Sequence, residues 1–377
     1  MRKSVWRRLG NRGFTILEVL VSVGILSLIL LMLVSLTNQT SATWRYTTAK
    51  AEQFRQARVA FESMTGKISQ ATLNTYWDYG YDSSGFPTRY ERRSELRFNC
   101  GPATSLIGAT GFGTRTTHSV FFHAPLGLVH PSYPDHHGLE GLLNVWGYYV
   151  ELNSDADQRP AFLSKAVPLV PLRYRHRLME FMQASELMST YGYTSGLDGG
   201  LPASVSYQGS EWYRIPVNTS ASLSRPIAEN VIALIITPRL SKRDELELRA
   251  GSMETDFSPL SPRYLYDSAL TMNAGQTRSD GRTNPKNQLP PLLQVTMVAI
   301  DEASAMRLRL GASSGDFFKV GAKFVDTTKY TADLVVQPTG TADISLENTL
   351  ISKRVNYRIF TTNIPIRAAK WSRDQIN

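Results

Sequence analysis

Cysteine is nearly missing from this 377-residue chain: Cys100 stands alone. No intramolecular disulfide can form, so an exported location would have to be met by packing alone. Catalytic signatures are missing too. There is no Gly-x-Ser-x-Gly elbow, and Cys100 is followed by Gly101-Pro102 rather than by a histidine-bearing nucleophile motif. The glycine-rich run Gly108 to Gly113 leads into Thr114-Arg115-Thr116, without the Lys and Ser or Thr that a phosphate cradle needs at a helix start. The six histidines, His118, His123, His130, His136, His137 and His176, fall within 59 residues. They show neither the paired short spacings of structural zinc nor an i, i+4 pair with a glutamate. His123 is expected in a strand and the others in loops around Pro131 and Pro134. Asp155-Ala156-Asp157 sets two carboxylates in a turn but lacks the glycine and distal glutamate of a calcium loop, and reads as a solvated acidic turn. No enzyme is nominated, and no cofactor or metal is expected.

What is present is ordinary globular composition, 42% hydrophobic and 19% charged, behind an unusual N-terminus. Residues Met1 to Gly13 carry Arg2, Lys3, Arg7, Arg8 and Arg12 and no acid. Basic residues resist translocation, so this end is expected to stay cytoplasmic while the remainder is exported. Removing the five cations takes the formal net charge from +9 to +4. The body is then only mildly basic and gives no strong electrostatic footprint for nucleic acid.

Phe14 to Leu36 is a 23-residue stretch in which only Thr15, Glu18, Ser22, Ser27 and Ser35 are polar. As a helix it spans roughly 34 Å, enough to cross a bilayer and too long for a cleaved secretory segment. Glu18 is the anomaly, because an isolated charge in such a segment costs about 2.5 to 3.5 kcal/mol. Cleavage after Gly13 would create an amine at Phe14, at the same depth, able to neutralise that carboxylate within one helix or between staggered neighbours. Between helices the pair would set the register of an assembly.

The run Gly13-Phe14-Thr15-Ile16-Leu17-Glu18-Val19, with its basic leader and long apolar helix, resembles the prepilin N-terminus of type IV pilins and type II secretion pseudopilins. The resemblance implies cleavage after Gly13 by a prepilin peptidase, N-methylation of Phe14 and an assembly role for Glu18. Many pilins bend this helix at a proline, whereas here the segment offers only Gly24.

Phe54, Ala57, Phe61, Met64, Ile68 and Ala71 recur at spacings of three and four, a helical stripe that serves either the protein's own sheet or a partner helix. Opposite it lie Arg55, Arg58, Glu62, Lys67 and Gln70, expected to be solvated, with Arg58 and Glu62 placed for an i, i+4 pair. Continued from Phe14 to Ala71, the helix would measure roughly 87 Å. After Leu73 the texture turns aromatic and glycine-rich, Tyr76-Trp77-Asp78-Tyr79-Gly80-Tyr81. Strands are expected at Glu95 to Phe98, Ser119 to His123, Val145 to Leu152, Trp212 to Val217, Val231 to Pro238, Leu292 to Ile300 and Tyr357 to Ile366. Short helices are expected at Arg177 to Met188 and Lys242 to Arg249. Residues 252–291 read as a polar, exposed loop excursion, either a contact surface or disordered.

The segment Ala228 to Leu234, a polar connection, and Leu289 to Met297 resemble the late paired strands of larger J- or W-type minor pseudopilins. More narrowly, Ser69 to Tyr79, Phe121 to Gly127 and Val298 to Glu302 resemble the Verru_Chthon cassette protein C family, which implies hetero-oligomeric assembly and carries over no catalytic activity.

The expected architecture is α+β with a type IV pilin-like fold: leader 1–13, transmembrane and assembly helix 14–36, amphipathic continuation 37–72, and an antiparallel β-rich head 73–377. The site residues are Gly13 and Phe14 for processing and Glu18 for assembly. Expected partners are a prepilin peptidase, other pilin-like or pseudopilin subunits and inner-membrane lipid. The head would be periplasmic, or at the cell surface once in a filament. The alternative is a pilin-anchored adhesin or substrate- or DNA-binding module, with Arg173, Arg175 and Arg177 as the basic cluster that DNA would require.

Overall fold

The computed structural model describes residues 15–108, 113–139, 141–156, 159–160, 162–163, 170–188, 190, 211–248, 256–276, 281–311, 314–336 and 345–372. The chain divides after Gln53 into two units. In the first, the described residues belong to helix α1, Ile16–Ile68, whose last turns, from Phe54, belong to the second unit. That second unit is a head of antiparallel sheets.

In chain order the head contains β1 Tyr76–Tyr81, β2 Pro87–Arg93, β3 Asn99–Pro102, α2 Ala103–Leu106, β4 His118–Pro125, β5 Leu143–Ser154 and β6 Tyr174–Gln183. There follow α3 Glu211–Thr219, β7 Ser224–Glu229, β8 Val231–Arg239, α4 Lys242–Leu248, β9 Tyr266–Asp267, β10 Leu292–Ile300, α5 Glu302–Leu308, α6 Tyr330–Leu334, α7 Leu346–Ser352 and β11 Tyr357–Pro365. They form a six-stranded sheet in the order β7-β6-β5-β4-β3-β9, a three-stranded sheet β11-β10-β8, and the hairpin β1-β2. Every pairing is antiparallel. A long apolar N-terminal helix followed by antiparallel sheets is the α+β, type IV pilin-like architecture expected from the sequence.

Side-chain alternation sorts the head into layers. One face of the large sheet carries Val120, Phe122, Trp146, Tyr148 and Leu178, and it packs with Ala57, Phe61, Met64 and Ile68 of α1 and with Leu234, Ile236, Val295 and Met297 of the small sheet. The stripe from Ala57 onward is therefore taken by the protein's own sheets, each large side chain contributing about 1.5–3 kcal/mol of burial. A bulge in β8 pairs Val298 with Ala233 and Ala299 with Val231, skipping Ile232. Ile232 thereby joins Ala233 and Ile235 on the opposite face of the small sheet, against Phe318, Phe324, Leu346 and Leu350. The second face of the large sheet holds Phe121, Val145, Tyr149 and Phe181 against Trp212, Tyr213 and Val217 of α3. Gly147 lies directly opposite Phe121. A Cβ there would stand 2.3 Å from Phe121 Cδ1, so the Phe121 ring, stacked on Tyr213 at 4.0 Å, requires that glycine.

Several expectations are corrected. Trp212 to Val217 is not a strand but lies in helix α3, because Trp212, Tyr213, Pro216 and Val217 bury one helical face on the sheet. Arg177 to Met188 is not a helix: β6 occupies Tyr174–Gln183 and is paired on both sides, so sheet pairing overrides its Leu, Met and Glu propensities. Glu95 to Phe98 precedes its strand, which starts at Asn99. The 252–291 segment is not a wholly exposed excursion: Leu260, Tyr264, Asn273 and Asn284 are buried and β9 pairs with β3, while Leu270 and Met272 stay exposed. Its polar groups are met by hydrogen bonds such as Asn273 Nδ2 to Leu260 O at 2.9 Å. Arg249, at the end of the expected Lys242 to Arg249 helix, lies outside the described residues; α4 ends at Leu248.

Candidate functional site

Gly13 and Phe14 lie outside the described residues. Immediately after them, α1 starts on a local device that the residues Thr15-Ile16-Leu17-Glu18 encode. The Thr15 backbone N–H donates to Glu18 Oε2 at 3.0 Å, and the Glu18 backbone N–H donates to Thr15 Oγ1 at 3.3 Å. This is a reciprocal capping box that satisfies two of the free donors at a helix start. Thr15 Oγ1 also donates to Glu18 Oε2 at 3.1 Å. The sequence alone suggested the freed Phe14 amine as the partner of Glu18, within one helix or between staggered neighbours; the Thr-x-x-Glu spacing was the signal for this further one.

From Val19 to Trp44 no residue is charged. Ser22 and Ser27 turn their hydroxyls back to Glu18 O at 2.7 Å and Val23 O at 2.8 Å, so neither presents an unmet donor to an apolar surround. Ile16–Thr48 has a mean hydropathy of 2.9 over its most apolar window. Among the described residues it is the one helix long and apolar enough to cross a membrane.

In the head, α1 is fastened by a buried carboxylate. Tyr148, Glu180 and Arg225 are cross-strand neighbours on β5, β6 and β7. Glu180 Oε1 accepts from Lys67 Nζ at 2.6 Å, Tyr148 OH at 2.8 Å and Trp146 Nε1 at 2.9 Å, while Oε2 accepts from Arg225 Nη2 at 2.8 Å and Nε at 3.0 Å. Lys67 also sits 4.4 Å over the Trp146 ring. Burial would raise the Glu180 carboxyl, but the bonds from Lys67, Arg225, Tyr148 and Trp146 hold it below the ordinary glutamate range. Lys67, expected on the solvated face, is thus the residue that joins the helix to the sheet. Nothing in the local sequence could have paired positions 113 residues apart.

The other singled-out residues are dispersed. His118, on β4, accepts from Ile236 N–H through Nδ1 and donates from Nε2 to Phe324 O. His123 bonds Arg97 O and Thr190 Oγ1 and stacks on Trp212 at 4.5 Å. His176, on β6, is buried with neither ring nitrogen hydrogen-bonded. Burial pushes all three imidazoles down to about 4. His118 and His176 are therefore strand residues, not the loop residues expected. His136 Nδ1 meets Glu186 Oε1 at 2.8 Å, and His137 is exposed. Among the described residues no group of three or more His, Cys, Asp or Glu side chains converges as a metal shell would. Asp155 is paired with Arg159 at 2.9 Å, and Asp157 lies outside the described residues, as do 109–112 of the glycine-rich run. Cys100 is buried in β3, and burial pushes its thiol up, away from the reactive thiolate.

The basic cluster dissolves. Arg175 is buried and bonds Glu302 Oε1 at 2.7 Å. Arg177 is buried and bonds Asn153 O at 3.0 Å, Ser154 O at 2.9 Å and Glu229 Oε1 at 3.3 Å. Only Arg173 of the three is exposed.

The prokaryotic N-terminal methylation motif matches residues 8–34, a span that contains Gly13, Phe14 and Glu18. The match supports a type IV prepilin-like protein, and with the apolar helix it is consistent with a membrane-anchored one. No curated protein and no solved structure matches the chain.

Proposed function

We propose that this chain is a minor pilin or pseudopilin subunit, processed after Gly13 by a prepilin peptidase, methylated at Phe14, and inserted into a type IV pilus-like or type II secretion-like filament through α1. The observation that carries the reading is the coincidence, at one helix start, of the methylation motif with an apolar span long enough to cross a membrane and interrupted by a single carboxylate. Lipid, and then neighbouring helices, would cover Ile16–Thr48. The head would be held on the periplasmic side, with Lys67 and Glu180 carrying load between filament helix and sheet. The resemblance to the J- or W-type pseudopilins and to the Verru_Chthon cassette protein C family favours a subunit that assembles with unlike partners over one that polymerises alone.

Glu18 has two separable jobs in this scheme: capping its own helix, and pairing with the freed Phe14 amine. Glu18→Gln preserves the acceptor of the capping box and removes the charge, whereas Glu18→Val removes both. Charge pairing requires both variants to insert in the membrane and to lose co-purification with other pilin-like subunits. Normal assembly of Glu18→Gln would reduce Glu18 to a cap and end the pairing mechanism. Intact-mass analysis of membrane-extracted protein tests the processing step: it should start at methylated Phe14, and a filament containing residues 1–13 would refute it.

A second reading, a pilin-anchored display module, is favoured by the exposed aromatic hairpin β1-β2. A DNA-binding version loses its proposed contacts, because Arg175 and Arg177 are buried and hydrogen-bonded within the head.

A further inference from the structure

The hairpin β1-β2 has two unlike faces. Register places Trp77 opposite Arg92 and Tyr79 opposite Tyr90, with Tyr81 two residues beyond Tyr79. Trp77, Tyr79, Tyr81 and Tyr90 therefore share one face, and they are 57%, 44%, 59% and 65% exposed. The reverse face carries Tyr76, whose hydroxyl donates to Glu95 Oε1 at 2.8 Å, and is otherwise polar and internally paired, Arg93 to Asp78 at 3.1 Å and Arg89 to Glu91 at 2.7 Å.

The aromatic face is rigid. Tyr79 and Tyr90 lie ring to ring at 4.9 Å, Tyr81 follows Tyr79 at 6.5 Å, and the Arg92 guanidinium sits 5.2 Å over Trp77. The turn is fixed by Asp82 Oδ1, which accepts from the Ser84 and Phe86 backbone N–H groups at 2.9 Å. The base is tied down by Arg92 Nη1 to Gln288 Oε1 at 2.7 Å and by Asn287 Nδ2 to Arg92 O at 2.6 Å. The rings are thus ordered before any ligand arrives, which lowers the entropy cost of binding.

Charge and composition narrow the ligand. Between Tyr76 and Arg93 the acids Asp78, Asp82 and Glu91 balance Arg89, Arg92 and Arg93. The net charge is zero, whereas single-stranded nucleic acid needs a basic track and anionic lipid a basic patch. The one aliphatic side chain in register with the rings is Pro87, opposite Tyr81, where a bilayer-inserting or obligate protein surface would carry several. Four half-exposed rings offer about 400 Å², well short of the ~800 Å² per partner of a stable protein interface. Sugar rings are complementary to such a surface: their apolar C–H faces stack on Tyr and Trp, and their hydroxyls meet phenol and guanidinium groups at the edge. Trp77 to Tyr81 covers ~13 Å along the strand, enough for successive sugar residues rather than one.

We propose that the aromatic face of β1-β2 binds an extended, uncharged glycan strand by ring stacking on Trp77, Tyr79, Tyr81 and Tyr90. The proposal rests on the head alone, so its failure leaves the filament reading standing, and loss of filament assembly leaves this one standing. The test is calorimetric titration of the full-length protein, in a sugar-free detergent, with cello- and chito-hexasaccharides at low and at high salt. Saturable, salt-insensitive binding of at least one of them is expected, weakened about tenfold by Trp77→Ala and by Tyr90→Ala. Arg89→Gln, on the reverse face, should retain affinity. Absence of binding to both oligosaccharides overturns the proposal, as does affinity unchanged in the Trp77→Ala, Tyr90→Ala double variant. Vesicle binding or self-association abolished by Tyr90→Ala, without glycan binding, would also overturn it by assigning the face to lipid or to a second copy.

Discussion

Mild acid should destabilise the head, and three histidines set the scale. His118, His123 and His176 are buried and neutral, with their pKa values lowered to about 4 by burial. In the unfolded chain each returns to about 6.5. Between those values the unfolded state binds up to three more protons than the folded state, so stability rises with pH there and is lost as pH falls from 6.5 towards 4. At pH 5 each site costs just under about 2 kcal/mol relative to pH 7, and the three together about 5–6 kcal/mol, against a typical total of about 5–15. Urea melts of the detergent-solubilised full-length protein, followed by tryptophan fluorescence, would read the loss through Trp146 and Trp212, which are buried in the head. His176→Leu sharpens the test. Neither nitrogen of His176 has a partner, so the variant should gain about 1 kcal/mol at pH 7 and remove about a third of the acid loss. A stability flat between pH 7 and pH 5, or a His176→Leu protein with the parental pH slope, would refute the reasoning.

His118→Leu should behave in the opposite sense at pH 7, losing about 1–3 kcal/mol because the Ile236 N–H and Phe324 carbonyl are left unmet. Glu180→Ala leaves the part-buried Lys67 and the buried Trp146 and Tyr148 donors without their carboxylate and should cost about 2–4 kcal/mol in the same melts. Lys67→Met, whose partner keeps Arg225, Tyr148 and Trp146, should cost about 1 kcal/mol; equal losses for the two would remove Glu180 as the hub. Gly147→Ala forces a methyl against the Phe121 ring and should cost about 1–3 kcal/mol, with a near-ultraviolet circular dichroism change from the displaced Phe121–Tyr213 stack. An unchanged melt for Gly147→Ala would mean that the sheet yields there more easily than its register implies.

His118, His123, Glu180, Arg175 and Arg177 thus share one property: their chemistry is absorbed by the fold. Arg115 is a further case, buried between Glu151 Oε2 at 2.8 Å and Asn218 Oδ1 at 2.6 Å, where it joins the sheet to α3. Such groups are retained in the interior because each ion is met by a partner, and removing one partner leaves the other charge unmet. Two features of the described residues point outward instead: the apolar helix and the aromatic hairpin.

The apolar span, the Glu18 anomaly and the strands at 119–123, 145–152, 231–238, 292–300 and 357–366 were legible in the residues themselves, because hydropathy, period and β-branching act locally. The capping box was equally legible, since Thr15 and Glu18 are three apart. Tertiary structure alone decided that Trp212 to Val217 coils into a helix, that Arg177 lies in a strand, and that Lys67 leaves the solvated face for Glu180. Each of those outcomes is set by a surface built from distant segments, and the free energy of burying an aromatic ring or satisfying a buried ion exceeds the few tenths of a kcal/mol by which local propensity distinguishes helix from strand.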